Sequence, residues 1–329
     1  MRAGAGVRGL AAAAAAIALA GLAACGGGGG GTTTFLSIAT GGTGGVYYPY
    51  GGAIARLLTQ SLPDVQATAE VTGASVDNLK LIQLGKVDLA FTLADTLAEA
   101  QAGTGPFQDT GAIGSIRTLA VLYTNYTHIV VRADSGIRQV SDLAGKIVSV
   151  GSPGSGTELI ADRVLAAAGV DPHTGITRHS LGVSESAGAI KDGKLDAFVW
   201  SGGLPTPALQ DLAATPGVPI ALLPQIDLLP LLQRDYGRDL YRLVPIPGGV
   251  YRGIDTDVPV IGATNLLVAS SQVDEALAYD IVRVMFERKA ELVAAHPEAE
   301  DLAVPAGPEA SPAPFHPGAV RYYREHGWQ

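Results

Sequence analysis

The chain has 329 residues and a formal net charge of −9, from 22 basic and 31 acidic side chains. This length suffices for one large α/β unit or for two ordinary domains with a sizeable core. Hydrophobic residues make up 47% of the chain, which excludes a disordered protein. The acidic balance argues against nucleic acid as a partner, because phosphate groups require a basic protein face.

The first 24 residues have the layout of a secretory signal peptide. Arg2 and Arg8 make a basic start, and an almost pure Ala, Leu and Ile run follows. This pattern predicts export and removal of the segment, with a retained anchor helix as the alternative. The remaining chain then has 20 basic and 31 acidic residues, a formal net charge of −11. An anionic ligand must therefore be attracted by local donors and not by the overall field.

Cys25 is the only cysteine of the chain, so no intramolecular disulfide can form. It follows Leu22-Ala23-Ala24, and this sequence resembles the lipobox of bacterial lipoproteins. The resemblance implies cleavage before Cys25 and acylation of this residue, and several acyl chains together anchor a protein firmly on a membrane. The Gly and Thr residues that complete the segment 25–34 predict a flexible tether. We expect an exported protein, periplasmic or on the outer face of the cytoplasmic membrane, lipid-anchored through Cys25.

After the tether, apolar runs rich in β-formers alternate with helical patterns, which predicts an α/β protein. Two units share the order strand, Gly-rich turn and helix: 36–40, 41–45 and 46–60, then 147–150, 151–156 and 157–168. A second echo links Leu84-Gly-Lys-Val-Asp-Leu-Ala-Phe91 with Asp192-Gly-Lys-Leu-Asp-Ala-Phe198, at a similar separation. Two echoes at nearly the same offset predict two similar lobes.

A third block begins near residue 223 and lacks a Gly-rich opening of its own. It contains an apolar run at 260–270, a helix pattern at 272–295 and a closing helical turn at 319–325. We expect this block to complete the first lobe. The predicted division is therefore 35–122 plus 223–329 for lobe 1 and 123–222 for lobe 2. Hinge strands would join the lobes around a ligand cleft.

Both Gly-rich turns would lie beyond the carboxyl ends of strands, where open α/β sheets bind ligands. Free N–H groups at helix N-termini attract anions, so two opposed turns could hold a carboxylate without arginine. The alternative is that each turn is only a tight connection. The candidate ligand contacts in the two turns are Gly42, Thr43, Gly44, Gly45, Val46, Tyr47, Tyr48, Ser155, Gly156 and Thr157.

Aromatic and polar residues beside the same strand ends extend the predicted site. Tyrosine and tryptophan can flank the carbon skeleton of a ligand, or can simply pack against the turns. Serine and asparagine at a helix start can contact a ligand or can cap the helix. The additional candidates are Ser75, Asn78, Thr92, Asp95, Tyr123, Trp200, Gly203 and Thr206.

Signatures of catalysis and of cofactor binding are missing from the sequence. The first turn lacks the third glycine of the dinucleotide fingerprint, and Thr157 stands where a P-loop requires lysine. The sequence has no G-x-S-x-G nucleophile elbow, and its histidines show no metal-binding spacing. We therefore expect a binding protein without cofactor or metal, and not an enzyme.

Four segments carry a family resemblance: Thr40-Gly-Gly-Thr-Gly-Gly-Val-Tyr-Tyr-Pro49, Gly151-Ser-Pro-Gly-Ser-Gly-Thr157, Asp196-Ala-Phe-Val-Trp-Ser-Gly-Gly-Leu-Pro-Thr206 and His316-Pro-Gly-Ala-Val-Arg-Tyr-Tyr-Arg-Glu325. They resemble the solute-binding proteins of TRAP transporters, in the branch called the TAXI family (TRAP-associated extracytoplasmic immunogenic proteins). The similarity runs from about Phe35 to Glu325.

The resemblance implies a two-lobed periplasmic-binding-protein fold, type II-like, that closes on a small organic acid such as glutamate or 2-oxoglutarate. It also implies delivery of this ligand to TRAP membrane subunits that an ion gradient drives. By the same resemblance, 42–48 and 155–157 are ligand contacts and 200–206 is cleft wall. The segment Thr92-Leu-Ala-Asp95 departs from the glutamine-containing segment common in relatives. The alternative function is a ligand-sensing lipoprotein that presents bound solute to a signalling partner.

Overall fold

A mixed ten-stranded sheet organises residues 33–328, the part of the chain that the computed structural model describes. The predicted signal peptide, the predicted lipidation site Cys25 and nearly all of the predicted tether lie outside the described residues. Within 33–328, none of the helices is long and apolar enough to span a bilayer.

The strands follow one another along the sheet in the order β2-β1-β3-β10-β4-β7-β5-β6, with β8 on β4 and β9 on β10. Their bounds are β1 Thr34–Ala39, β2 Val65–Glu70, β3 Leu89–Leu93, β4 Ile116–Arg132, β5 Ile147–Ser149, β6 Thr177–His179, β7 Ala197–Gly202, β8 Ile220–Leu222, β9 Arg242–Ile246 and β10 Val258–Ser270. The pairs β1–β3, β5–β6 and β5–β7 are parallel, whereas β4 and β10 run antiparallel to their neighbours.

Helices pack on both faces of this sheet. Their bounds are α1 Tyr47–Ser61, α2 Ser75–Gln83, α3 Ala94–Ala102, α4 Gly156–Ala167, α5 Val183–Lys191, α6 Pro207–Ala214, α7 Leu229–Tyr236, α8 Glu275–Glu287, α9 Lys289–Ala295 and α10 Pro317–Glu325. Short 3₁₀ helices cover Gly105–Phe107, Val140–Leu143, Ile226–Leu228, Pro297–Asp301 and Pro308–Ala310.

The two longest strands, β4 and β10, pair with each other and run through both halves of the sheet. In the first half, Phe91 of β3 faces one apolar core and Ala90 faces another on the opposite side. In the second half, Val199 and Phe198 of β7 divide in the same way between two further cores. Both faces of the sheet are therefore covered, as the continuous apolar runs require. The predicted fold class, an α/β protein with two lobes joined by long strands, is confirmed.

The packing of one segment differs from the predicted division of the chain. Leu223, Leu232 and Tyr241 share a core with β5 and β7, and Tyr251 shares the core that contains Phe198. Residues 223–261 thus pack with the second half, although we expected all of 223–329 in the first. The reason is that β9 pairs with the end of β10 that lies in the second half. The remaining division into lobes stays a prediction.

Most predicted elements lie within one or two residues of their observed bounds. The strands predicted at 36–40 and 147–150 correspond to β1 and β5, and the helices at 46–60 and 157–168 correspond to α1 and α4. The single helix predicted at 272–295 is instead two helices, because Arg288 leaves helical geometry with φ −106° and ψ 22°. Arg288 donates to Ser61 Oγ at the end of α1 and to Glu291, which fixes the bend.

Candidate functional site

A cavity of about 200 Å³ lies where the two halves of the sheet meet. Its wall comes from four loops that each lead into a helix, and from the crossing strand β4 and the end of β7. The first residues of α1, α2, α4 and α5 all line it. Four helix N-termini therefore converge on one space, where their N–H groups and dipoles favour negative charge.

Three of these helices begin without a side-chain cap. Val46, Ala74 and Gly182 occupy the N-cap positions of α1, α2 and α5, and their side chains accept no hydrogen bond from the first turn. In α4, Ser155 caps the helix, because its Oγ accepts from the N–H of Glu158 at 3.0 Å. First-turn N–H groups have no partner within their own helix, so the uncapped starts keep donors available for a ligand, except the N–H of Asp77 in α2, which donates to the Gly154 carbonyl.

The four helix starts face each other in two pairs across the cavity. At one end α2 meets α4: the N–H of Asp77 donates to the Gly154 carbonyl at 3.1 Å, and a Cβ on Gly156 would lie 2.8 Å from Ser75 Oγ. At the other end α1 meets α5, where a Cβ on Gly44 would collide with Ser184 Oγ. Glycine is required at both close approaches, since any side chain would separate the two walls.

A chain of buried polar side chains forms the floor of the cavity. The Tyr47 hydroxyl donates to Asn265 of β10, and Asn265 donates in turn to Asn125 of β4. Asn125 Nδ2 donates to Ser201 Oγ at 3.3 Å, and the N–H of Ser201 donates to Thr157 Oγ1 at 3.2 Å. Burial raises the pKa of the Tyr47 hydroxyl, so this group stays protonated. This series of hydrogen bonds links the start of α1 to the start of α4 through both crossing strands.

Trp200 covers the side of the cavity nearest to α1. A Cβ on Gly45 would lie 2.8 Å from the tip of the indole ring, so the ring and the Gly-rich turn are in close contact. The indole Nε1 donates to Thr206 Oγ1 at 2.9 Å, which fixes the orientation of the ring. Among the described residues that line the cavity, Glu185 is the one charged side chain and none is basic. An anion held there must rely on N–H and O–H donors.

The sequence profile of the NMT1-like family matches residues 38–327. The chain belongs to the NMT1-like family. The match includes all of the loops and strands that line the cavity.

This NMT1-like protein is also similar in fold to solved structures of solute-binding proteins. The periplasmic aliphatic sulphonate binding protein SsuA from Escherichia coli is 15% identical, with a TM-score of 0.44 over 89% of this chain and 83% of that one. The alkanesulfonate-binding protein SsuA from Xanthomonas axonopodis pv. citri is 18% identical, with a TM-score of 0.45 over 89% and 84%. An ancestral arginine-binding protein is 16% identical, with a TM-score of 0.48 over 80% and 97%.

The structure brings twelve of the predicted site residues of this NMT1-like protein together around the cavity. They are Gly42, Thr43, Gly44, Gly45, Val46, Tyr47, Ser75, Tyr123, Ser155, Gly156, Thr157 and Trp200. The two Gly-rich turns therefore share one cavity, as we expected. Whether these residues contact a ligand stays a prediction.

Five other candidates lie beside the cavity and not on its wall. Tyr48 is 38% exposed on the outer side of α1. Asn78 is buried, and its Nδ2 donates at 2.8 Å to the carbonyls of Thr40 and Phe91, so it joins strands. Thr92 is buried within β3. Gly203 and Thr206 belong to the segment that supports Trp200 from behind.

Asp95, expected on the cleft side, is instead part of a buried ion cluster. Its Oδ2 accepts from Arg163 Nη1 at 3.0 Å and from the Tyr241 hydroxyl at 2.6 Å. Arg163 also pairs with Glu99, whose pKa burial raises, while the arginine acts in the opposite direction. Arg163 is only 4% exposed and Asp95 is 0% exposed. The carboxylate of Asp95 is therefore occupied by the protein and is a link between α3 and α4.

Sequence reasoning missed the start of α5 in this NMT1-like protein. Gly182, Val183, Ser184 and Glu185 all line the cavity. The signal was weak, because the turn before α5 contains one glycine and β6 has only three residues. Asn125, which belongs to the floor, was not among the predicted contacts, whereas Ser201 was expected as part of the cleft wall 200–206.

Proposed function

We propose that the protein is an extracytoplasmic solute-binding lipoprotein that captures a small organic acid, a glutamate- or 2-oxoglutarate-like carboxylate. The observation that supports this most is the pair of facing helix N-termini at each end of one cavity, which has no basic side chain among its described lining residues. Each helix start stabilises a nearby anion by about 0.3–1 kcal/mol, and by up to about 2 kcal/mol when partly buried. Two facing pairs suit a ligand with two carboxylate ends.

The proposed destination of the ligand is a TRAP transporter. The resemblance of the Gly-rich turns, the Trp200 segment and the C-terminal helix to TAXI proteins supports this assignment. In this role the acylated Cys25 would hold the protein on the membrane, next to the TRAP membrane subunits. The protein would bind and release its ligand unchanged, so we propose binding and not catalysis.

Isothermal titration calorimetry on the purified full-length protein in detergent tests the proposal. The protein is first unfolded and refolded to remove any co-purified solute. Glutamate, 2-oxoglutarate and C4-dicarboxylates are then titrated in turn. Binding of at least one of these acids with a defined stoichiometry supports the proposal. If none binds, the protein does not capture this class of solute and the proposed function is wrong.

A substitution at Gly44 tests whether the cavity is the binding site. Gly44→Leu places a side chain where a Cβ already collides with Ser184 Oγ, so we expect loss of measurable binding. Gly52→Ala is the matched control, because a Cβ on this glycine of α1 meets nothing within 4 Å. Alanine also favours the helix over glycine by about 1 kcal/mol. The control should bind normally; unchanged binding by Gly44→Leu would mean that the turn is only a connector.

A further inference from the structure

The cavity wall behind Trp200 is held from outside by a segment far along the chain. The N–H of Leu204 donates to a carboxylate oxygen of Glu298, and the Pro205 carbonyl lies 3.3 Å from His296 Nε2. Glu298 belongs to the 3₁₀ helix Pro297–Asp301, whose Ala299 packs in the core of the first half. A Cβ on Gly203 would lie 2.7 Å from Glu298 Cγ, so the carboxyl side chain presses directly on this wall.

A few hydrogen bonds connect this wall segment, residues 203–206, to the cavity. Thr206 Oγ1 accepts from Trp200 Nε1 at 2.9 Å and donates to the Gly203 carbonyl at 2.8 Å. The N–H of Ala208, two residues further on, lies 3.4 Å from the Gly44 carbonyl across the cavity. The N–H of Thr206 also donates to the Tyr251 hydroxyl at 3.1 Å. Loss of the Leu204 anchor would loosen the segment 203–206, so that the Trp200 ring would be held less firmly against Gly45.

Glu298 is a buried carboxyl group without a basic partner. It is 8% exposed, and none of the ion pairs within residues 33–328 includes it. Four tyrosines and two groups of its own segment surround it. The tyrosines are Tyr50 of α1, Tyr123 and Tyr126 of β4, and Tyr251 of the loop after β9; the other two groups are His296 and Asp301. Among the described residues, no cation is a cause of the shift in the pKa of Glu298.

This environment favours the neutral form of the carboxyl. Burial raises the pKa of Glu298 to about 7; the N–H of Leu204 acts in the opposite direction, and Asp301 raises it further. The hydroxyls of Tyr50 and Tyr123 are buried and, within the described part of the chain, have no hydrogen-bond partner. Neither hydroxyl supplies the positive charge that a basic group would give, since burial keeps both tyrosines protonated and uncharged.

We propose that Glu298 is a positioning residue for the ligand cavity: it fixes the wall segment 203–206 in the ligand-bound form, and it takes up one proton when the cavity closes. The inference rests on the proposed function, since it assumes that closure accompanies capture of a solute. Glu298 itself does not touch the ligand. It acts through Leu204 and Thr206 on Trp200.

The direction of the pH effect follows from the carboxyl's two environments. In an open cleft, water around Glu298 returns its pKa towards the ordinary value of 4.5, whereas in the closed form it is about 7. Between these values the closed form holds a proton that the open form lacks. Affinity therefore rises as pH falls through 7, by up to about tenfold per pH unit, and levels off near 4.5. Above pH 8 the carboxyl is ionised in both forms and the affinity is low and constant.

The test uses the full-length protein with 2-oxoglutarate as the ligand, titrated calorimetrically from pH 5.5 to pH 8.5. We expect wild-type affinity to fall about tenfold between pH 6 and pH 8. Glu298→Gln keeps an acceptor for Leu204 and cannot ionise, so its affinity should be nearly independent of pH and exceed that of wild type at pH 8. Glu298→Ala should bind more weakly at every pH. Glu300→Gln removes an exposed carboxyl of the same helix that does not act on Glu298, so this variant should keep the wild-type profile.

Two outcomes would overturn the inference. A Glu298→Gln variant with the wild-type pH profile would show that another group titrates, and a Glu298→Ala variant with wild-type affinity would show that no positioning takes place. X-ray scattering without ligand separates this from failure of the proposed function, because protonation of Glu298 favours the closed form there as well. The radius of gyration of wild type should decrease towards that of Glu298→Gln as pH falls from 8 to 5. If no acid binds but this change is present, only the proposed function fails; if the change is absent, the titration of Glu298 is wrong as well.

Discussion

His128 illustrates how the burial of one residue affects the whole protein. This histidine of β4 is 0% exposed. Its Nδ1 lies 2.8 Å from the Tyr126 carbonyl and therefore carries the proton, while its Nε2 accepts from the Tyr251 hydroxyl at 3.0 Å. Tyr251 in turn accepts from the N–H of Thr206, at 3.1 Å. Burial lowers the pKa of His128 to about 4, so the ring is neutral in the folded protein at neutral pH.

We predict that His128 makes the protein less stable in mild acid. Its pKa rises to about 6.5 on unfolding, so between pH 6.5 and pH 4 the unfolded chain binds a proton that the folded protein does not. The free energy of unfolding should fall across this range, by about 3 kcal/mol in total from this residue. Urea unfolding at several pH values, with wild type and His128→Gln, measures it. The variant should be less stable at pH 7 but lose less stability in acid; parallel curves would contradict the prediction.

The residues predicted correctly to line the cavity are those whose local sequence determines where they lie. Gly44 and Ser155 sit in turns between a strand and a helix, and such turns converge at one edge of a sheet. Asp95 also follows a strand, but its partners Arg163 and Tyr241 lie 68 and 146 residues further along the chain. No feature of the sequence near Asp95 indicates that its charge is neutralised in the fold. Long-range pairing, and not local pattern, decided its role.

At the scale of elements, the helix caps separate stability from ligand binding. Ser155 caps α4 beside the cavity, whereas Asp274 caps α8, accepting from the N–H groups of Ala276 at 2.8 Å and Leu277 at 3.3 Å. We predict that Ser155→Ala and Asp274→Ala each lower the free energy of unfolding by about 1 kcal/mol. Of the two variants, only Ser155→Ala should also weaken 2-oxoglutarate binding, because α4 begins at the cavity wall and α8 does not. Denaturant unfolding and calorimetry measure the two effects.

The comparison between these two variants decides what the start of α4 does. If both lose stability and both bind normally, the Ser155 turn is a structural cap only. If Asp274→Ala also loses affinity, binding depends on general stability and not on the helix start.

The elements that the sequence predicted well have a strong local signal at each end. α1 and α4 follow Gly-rich turns, and both begin within one residue of the predicted position. The sequence of α8 and α9 predicts one amphipathic helix, because the apolar spacing continues across Arg288. At the break, Arg288 donates to Ser61 at the end of α1, which is 227 residues away in sequence. Periodicity identifies the buried face of a helix but not a bend that a distant contact imposes.

At the scale of the whole molecule, the crossing strands determine which segments share a core. β10 pairs with β3 over its last residues and with β9 over its first, so it belongs to both halves of the sheet. The sequence pattern predicts no particular strand or helix between 223 and 259, and it does not indicate the half to which this segment attaches. That choice was wrong for 223–261. The net negative charge and the cavity lined by hydrogen-bond donors are separate properties, and composition alone predicted only the net charge.

We predict that the whole molecule becomes more compact when it captures its ligand. In the structure the two walls touch at Gly44 and Ser184, and the N–H of Asp77 reaches the Gly154 carbonyl across the cavity. Without ligand, water competes for these groups, and the strands β4 and β10 allow the halves to separate by a hinge motion. Small-angle X-ray scattering should show a smaller radius of gyration with saturating 2-oxoglutarate than without it. Gly44→Leu, which cannot close, should give the larger value under both conditions. Identical wild-type scattering curves, at a ligand concentration where calorimetry shows saturation, would mean that binding requires no closure.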